Sequence, residues 1–110
     1  MLRSVSLLSK RRLLRLDNFE LRIMNSELSS LREEIDQLDE QLWKIIGQRT
    51  DVVRQVGEWK HQHGERVLQP QRWQQVLQHC QTIADKYGLS ETIVQEVMQA
   101  IHNESVRIES

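Results

Sequence analysis

One cation stands where an apolar pattern calls for leucine. The positions Leu31, Ile35, Leu38, Leu42, Ile45, Arg49, Val52, Val56 and Trp59 follow one another in steps of four and three. That spacing is the seam of a packed helix, and one of its members is a guanidinium. Lys60 lies about 16 Å further along the same helix and only about 20° round it from Arg49. Val53 and Val56 fall between them on that face. Two long cationic side chains therefore look into one apolar strip, at a separation they could close around a small anion.

A lone charge in a helical seam has another use, as a device that fixes register when paired with an acid. The second cation on the same face favours a ligand, because an uncompensated buried charge costs several kcal/mol and the carboxylates of a bound molecule relieve it. Arg54 points about 140° away and reads as a solvated surface charge. Arg32 is about 26 Å before Arg49 along the helix and about 100° round it. It cannot share a small-ligand site with Arg49 of its own chain, but in an antiparallel dimer it could reach the partner's.

Other reactive side chains carry less. His61 and His63 sit in a turn without carboxylate or cysteine support, so no metal site is expected. His79 and His102 read as surface or rim residues. The single cysteine, Cys80, rules out an internal disulfide, suits a reducing cytoplasm, and reads as a buried structural thiol. No glycine-rich phosphate loop and no Ser-His-Asp arrangement is present, and nothing calls for a cofactor.

The elements that must position these residues are helices. From Asn25/Ser26 to about His63 the pattern is helical, and Ser30 followed by Glu33 has capping-box spacing. Gly64 is the expected stop. Pro70 opens a second helix at its first turn, with Trp73, Val76, Leu77, Cys80, Ile83, Ala84 and Tyr87 on one face. Gly88 ends it, and Ser90 caps a third whose face is Ile93, Val94, Val97, Ile101 and Ile108. No strand alternation of useful length occurs. The expected fold is all-α, with three helices in the order long, medium, medium.

The first helix, about 36 residues, would be a rod of about 54 Å, against a radius of gyration of about 13 Å for a compact chain of this size. The shorter helices could cover it only in part, so an intertwined homodimer is expected. At 110 residues, 38% hydrophobic and net charge −1, the chain reads as one ordinary soluble domain and not as a general nucleic-acid binder. No run approaches the ~18 apolar residues of a membrane span. Residues 1–23 differ, with six Lys or Arg against two acids, where 24–110 carry nine against fourteen. This Arg/Leu/Ser-rich stretch reads as a basic extension over 1–24 preceding a core domain at 25–110, with Met24 a possible natural start. A targeting peptide or a membrane- or nucleic-acid-binding arm is the alternative.

The stretches "LREEIDQLDEQLWKIIGQRTDVVRQVGEWK", "PQRWQQVL" and "AIHNESVRIE" resemble the all-helical (AroQ-class) chorismate mutases and the related isochorismate-pyruvate lyases, over roughly residues 27–110. The resemblance implies that Arg32 of one subunit joins Arg49 and Lys60 of the other in binding the substrate, the arginines gripping its two carboxylates. Lys60 would hydrogen-bond the ether oxygen. Arg72, Ser105 and Glu109 match further positions that face the ligand. The implied reaction is the Claisen rearrangement of chorismate to prephenate, in aromatic amino acid biosynthesis. It needs the ether held in a folded shape and positive charge where the breaking C–O bond gathers electrons.

Two positions depart from the family pattern. Trp73 stands where many members have a glutamate that meets the ring hydroxyl, and Gln69 replaces an aspartate; Trp73 could equally be core. Both changes touch recognition of that hydroxyl. The "VLQPQRW" stretch looks more like the lyases, which would make salicylate from isochorismate, and aminodeoxychorismate is a further candidate substrate. A non-catalytic helical dimer is the reading from another class. Glu109 stands where glutamine is common, and a carboxyl group donates a hydrogen bond only when protonated. That implies faster turnover in mild acid; the alternative is that Glu109, next to the C-terminus, frays into solvent and does nothing.

Overall fold

The computed structural model describes residues 17–110, and the fold is all-α. Most of the basic stretch at 1–23 lies outside the described residues. Three helices follow in order: α1 over Asn18–His63, α2 over Pro70–Lys86 and α3 over Glu91–Glu109.

The start of α1 differs from the sequence expectation. The helix begins at Asn18, not at residue 25 or 26, and Ser30 and Glu33 both lie inside it. Asp17 is the effective cap, its Oδ1 accepting from the Glu20 amide at 2.8 Å. No glycine or proline intervenes between Asp17 and Ser30, so nothing stops the helix from running back to the earlier cap.

The other boundaries fall where the turn chemistry places them. Gly64 and Gly88 adopt φ of 67° and 69°, the left-handed conformation that glycine enters without steric cost. The amides of Glu65 and Leu89 then reach back to the carbonyls of Lys60 and Ala84, at 2.8 and 3.1 Å. α1 and α2 are thus closed by the same six-to-one hydrogen bond. Pro70 occupies the first turn of α2. The Ser90 hydroxyl accepts from the Ile93 amide at 3.2 Å and opens α3.

The chain divides into two units, one ending at Lys44 and one spanning Ile45–Ser110. In the first, Leu31, Ile35, Leu38, Leu42 and Trp43 are exposed. In the second, the C-terminal part of α1 packs with α2 and α3, and the buried side chains are few: Ala84 and Val94, with Gly57.

The covered face of α1 here is Ile46, Thr50, Val53, Gly57 and Lys60. It has the expected spacing but lies one residue, about 100°, past the seam; Ile45, Val52, Val56 and Trp59 are exposed. In α3, Val94, Ile101 and Ile108 are covered as expected, but Ile93 and Val97 are exposed, and Met98, His102, Ser105 and Glu109 are partly covered as well. In α2, Trp73, Val76, Leu77 and Cys80 are partly covered as expected, but Ile83 and Tyr87 face out.

Candidate active site

Within the Ile45–Ser110 unit, the end of α1, the start of α2 and the end of α3 enclose a cavity of about 180 Å³. Val53, Val56, Val67, Val76 and Val106 supply apolar wall, and Arg49, Lys60, Arg72, Ser105 and Glu109 supply charge and hydrogen bonding. Gln69, Trp73 and His102 complete the lining. Every site residue named from the sequence is here except Arg32, which is exposed on α1 in the other unit. His102, expected at the surface or rim, is half-buried and faces the cavity. Its spacing of three to Ser105 and seven to Glu109 was the signal, since those steps place all three on one helical face. His79 is exposed, as expected.

The polar side chains hold one another in place. Ser105 gives its single proton to the Ile101 carbonyl at 2.9 Å, which leaves its oxygen lone pairs free. Arg49 Nη1 donates to that oxygen at 3.2 Å. Ser105 therefore braces one arm of the Arg49 fork and leaves the remaining donors available.

Lys60 is tied twice. Its Nζ donates to the Val67 carbonyl at 3.0 Å and lies 2.5 Å from Glu109 Oε1. The two side chains are 12% and 9% exposed, so this is a nearly buried ion pair. The approach is close but not aligned as a hydrogen bond, and Oε1 has no other partner, so it is charge that satisfies that oxygen. With three protons on the ammonium, Lys60 keeps donor capacity for the cavity. The packing makes the pair possible: a Cβ added at Gly57 would sit 3.0 Å from Glu109 Cα. Any side chain at this position would require the end of α3 to move off α1 by a few tenths of an ångström.

The first turn of α2 adds to the positive character. Gln69 is the N-cap residue but makes no side-chain capping hydrogen bond, and the first turn contains no acid. Arg72 stands there instead, beside the positive end of the helix dipole. Next to it the Trp73 indole stacks on the His102 imidazole, with centroids 4.1 Å apart and planes 22° from parallel.

The remaining charged pairs lie away from the cavity. Arg54 binds Asp51 at 2.8 Å on the exposed face of α1, as its angle predicts. On the outside of α3, the hydrogen bond from Arg107 holds the Glu104 carboxyl below its ordinary value, and the Arg107 charge adds to the effect. Among the described residues, no three His, Cys, Asp or Glu side chains gather in a possible metal site, and no helix is long and apolar enough to cross a membrane.

Such a cavity can grip a small dianion, exclude much of its water, and present donors to an oxygen gaining charge. Its serine, Ser105, is tied to the Ile101 carbonyl and to Arg49, with no general base hydrogen-bonded to it. No solved structure matches the chain. It is 37% identical over 62 residues to the T-protein of Haemophilus influenzae, an alignment covering 56% of this chain and 16% of that relative. The chain thus spans under a fifth of the relative's length. The family model described as chorismate mutase type II matches residues 31–110, and the chain belongs to that family.

Proposed function

We propose that the cavity binds chorismate in its folded form and promotes the rearrangement to prephenate, without a cofactor. One observation carries this reading: three permanent cations, Arg49, Lys60 and Arg72, face the cavity against one carboxylate, Glu109. The two uncompensated positive charges match a dicarboxylate. Arg49, braced by Ser105, is oriented for a bidentate grip on one carboxylate. Arg72, at the positive end of α2, takes the other. Lys60 lies where its remaining donor meets the ether oxygen as the C–O bond breaks. The rearrangement breaks one C–O bond and forms one C–C bond within a single molecule, so it needs no acid, base or nucleophile. Shape and charge suffice.

The functional unit in this reading is a cytoplasmic homodimer, with residues 25–110 as its catalytic domain. Arg32 would enter the partner's cavity, and the exposed apolar residues of α1 and α3 would be covered by the second chain. The extent of exposed Leu, Ile, Val and Trp supports this, because soluble monomers rarely leave such continuous apolar surface uncovered.

The test is an assay of prephenate formed from chorismate, beside pyruvate released from isochorismate. The first product is expected. Lys60→Ala should lower kcat by about 10²–10³-fold, the usual effect of removing a donor to a developing negative oxygen. Pyruvate release without prephenate would assign the lyase reaction instead, and neither product would leave a binding module.

A further inference from the structure

We propose that His102 is the residue that reads the hydroxyl on the substrate's ring, and that Trp73 positions it. This rests on the dicarboxylate reading above and names a contact that reading leaves open. The hydrogen bonds within the site run from Arg49 to Ser105, from Ser105 to Ile101 and from Lys60 to Val67. His102 takes part in none of them. Its ring is nonetheless held, stacked on Trp73 across the gap between α2 and α3 with centroids 4.1 Å apart. A face-to-face stack fixes the plane of an imidazole through its carbon and nitrogen faces. It leaves the ring edge free, and both nitrogens are on the edge.

The chemistry of the remaining groups narrows the assignment. A bound ring with two carboxylates and an ether oxygen engages the cations, and only its hydroxyl lacks a partner. A hydroxyl needs an acceptor for its proton. Glu109 faces Lys60 at 2.5 Å, and the Ser105 oxygen is met by Arg49. Both keep lone pairs, but His102 and Gln69 are the acceptors on the cavity wall that no hydrogen bond or ion pair of the site engages. The neutral imidazole accepts at one nitrogen and donates at the other, so it can satisfy the hydroxyl in either direction. Gln69, the N-cap residue of α2, makes no side-chain capping hydrogen bond, and no aromatic stack holds it. The stack decides in favour of His102.

The experiment measures binding of two probes: the oxabicyclic dicarboxylate that mimics the folded substrate, and the same compound without its hydroxyl. Wild type should prefer the hydroxylated probe by about tenfold, the worth of one hydrogen bond. His102→Ala should remove that preference and leave affinity for the deoxy probe within about twofold to threefold, with His102→Leu as a second variant that keeps the packing volume. Trp73→Leu should shrink the preference and Trp73→Phe, which retains a stacking face, should restore it. An unchanged preference in both His102 variants, or one abolished by Gln69→Ala alone, overturns the proposal while leaving the dicarboxylate reading in place. Failure of wild type to bind either probe, with no prephenate formed from chorismate, overturns both together.

Discussion

Lys60 and Glu109 meet inside the candidate site with little access to water, and the state of that pair decides what Lys60 can offer a ligand. A carboxylate there neutralises the ammonium and can only accept, whereas the amide of Glu109→Gln carries no charge and can donate. Glu109→Gln should therefore raise kcat for prephenate formation at neutral pH, by freeing Lys60 and adding a donor. An unchanged kcat would leave Glu109 outside the mechanism. Its side chain is 9% exposed and packs against Gly57 and Lys60, although it is one residue from the C-terminus.

The two glycines inside α1 have opposite reasons to be there. Around Gly47 an added Cβ would meet nothing within 4 Å, whereas at Gly57 it would strike the backbone of α3 at 3.0 Å. Gly47→Ala should therefore stabilise the helix by about 1 kcal/mol, visible as a rise of several degrees in Tm, with activity unchanged. Gly57→Ala carries the same intrinsic gain but must shift the end of α3 by a few tenths of an ångström, loosening the contact of Glu109 with Lys60. Its kcat should fall about tenfold or more while helix content stays constant; equal behaviour of the two variants would show that the close crossing is not needed. In the sequence both glycines read only as tolerated costs, because the contact that distinguishes them lies more than fifty positions away. The helices themselves were legible: Gly64, Pro70, Gly88 and Ser90 act through local geometry and mark their boundaries. The covered faces were less so. In α3 the inward positions near the cavity are His102, Ser105 and Glu109, and chemistry-bearing side chains look like solvent-facing ones to a hydrophobic pattern. The cations escaped that ambiguity in α1, where Arg49 broke an otherwise apolar run.

At the scale of the assembly, the seam read from the sequence and the face used within one chain are neighbouring stripes of α1. The second is occupied by α2 and α3; the first, from Leu31 to Trp59, is exposed. A helix with two apolar stripes about 100° apart is suited to two sets of neighbours. Arg49 belongs to the exposed stripe, and Arg32, about 100° round the helix from it, is exposed as well. If a second chain lies there, Arg32→Ala and Arg49→Ala proteins, each nearly inactive, should regain activity once mixed and allowed to exchange subunits. One site of the mixed dimer would then hold both arginines and the other neither, giving up to about half of wild-type activity per heterodimer. Absence of recovery, with exchange confirmed by mass-tagged subunits, would place both arginines in the site of one chain.

The uncapped start of α2 has a consequence for how stability and occupancy trade against each other. A helix beginning without a side-chain cap and without an acid, and carrying an arginine in its first turn, forgoes contributions that each amount to about 0.3–1 kcal/mol. An anion at that end restores them in one step. Folding free energy withheld from the empty protein thus becomes binding free energy for the occupied one. Selection for heat resistance alone would place an aspartate at position 69 or 71, and the more robust protein would then repel an anionic ligand of the kind proposed above.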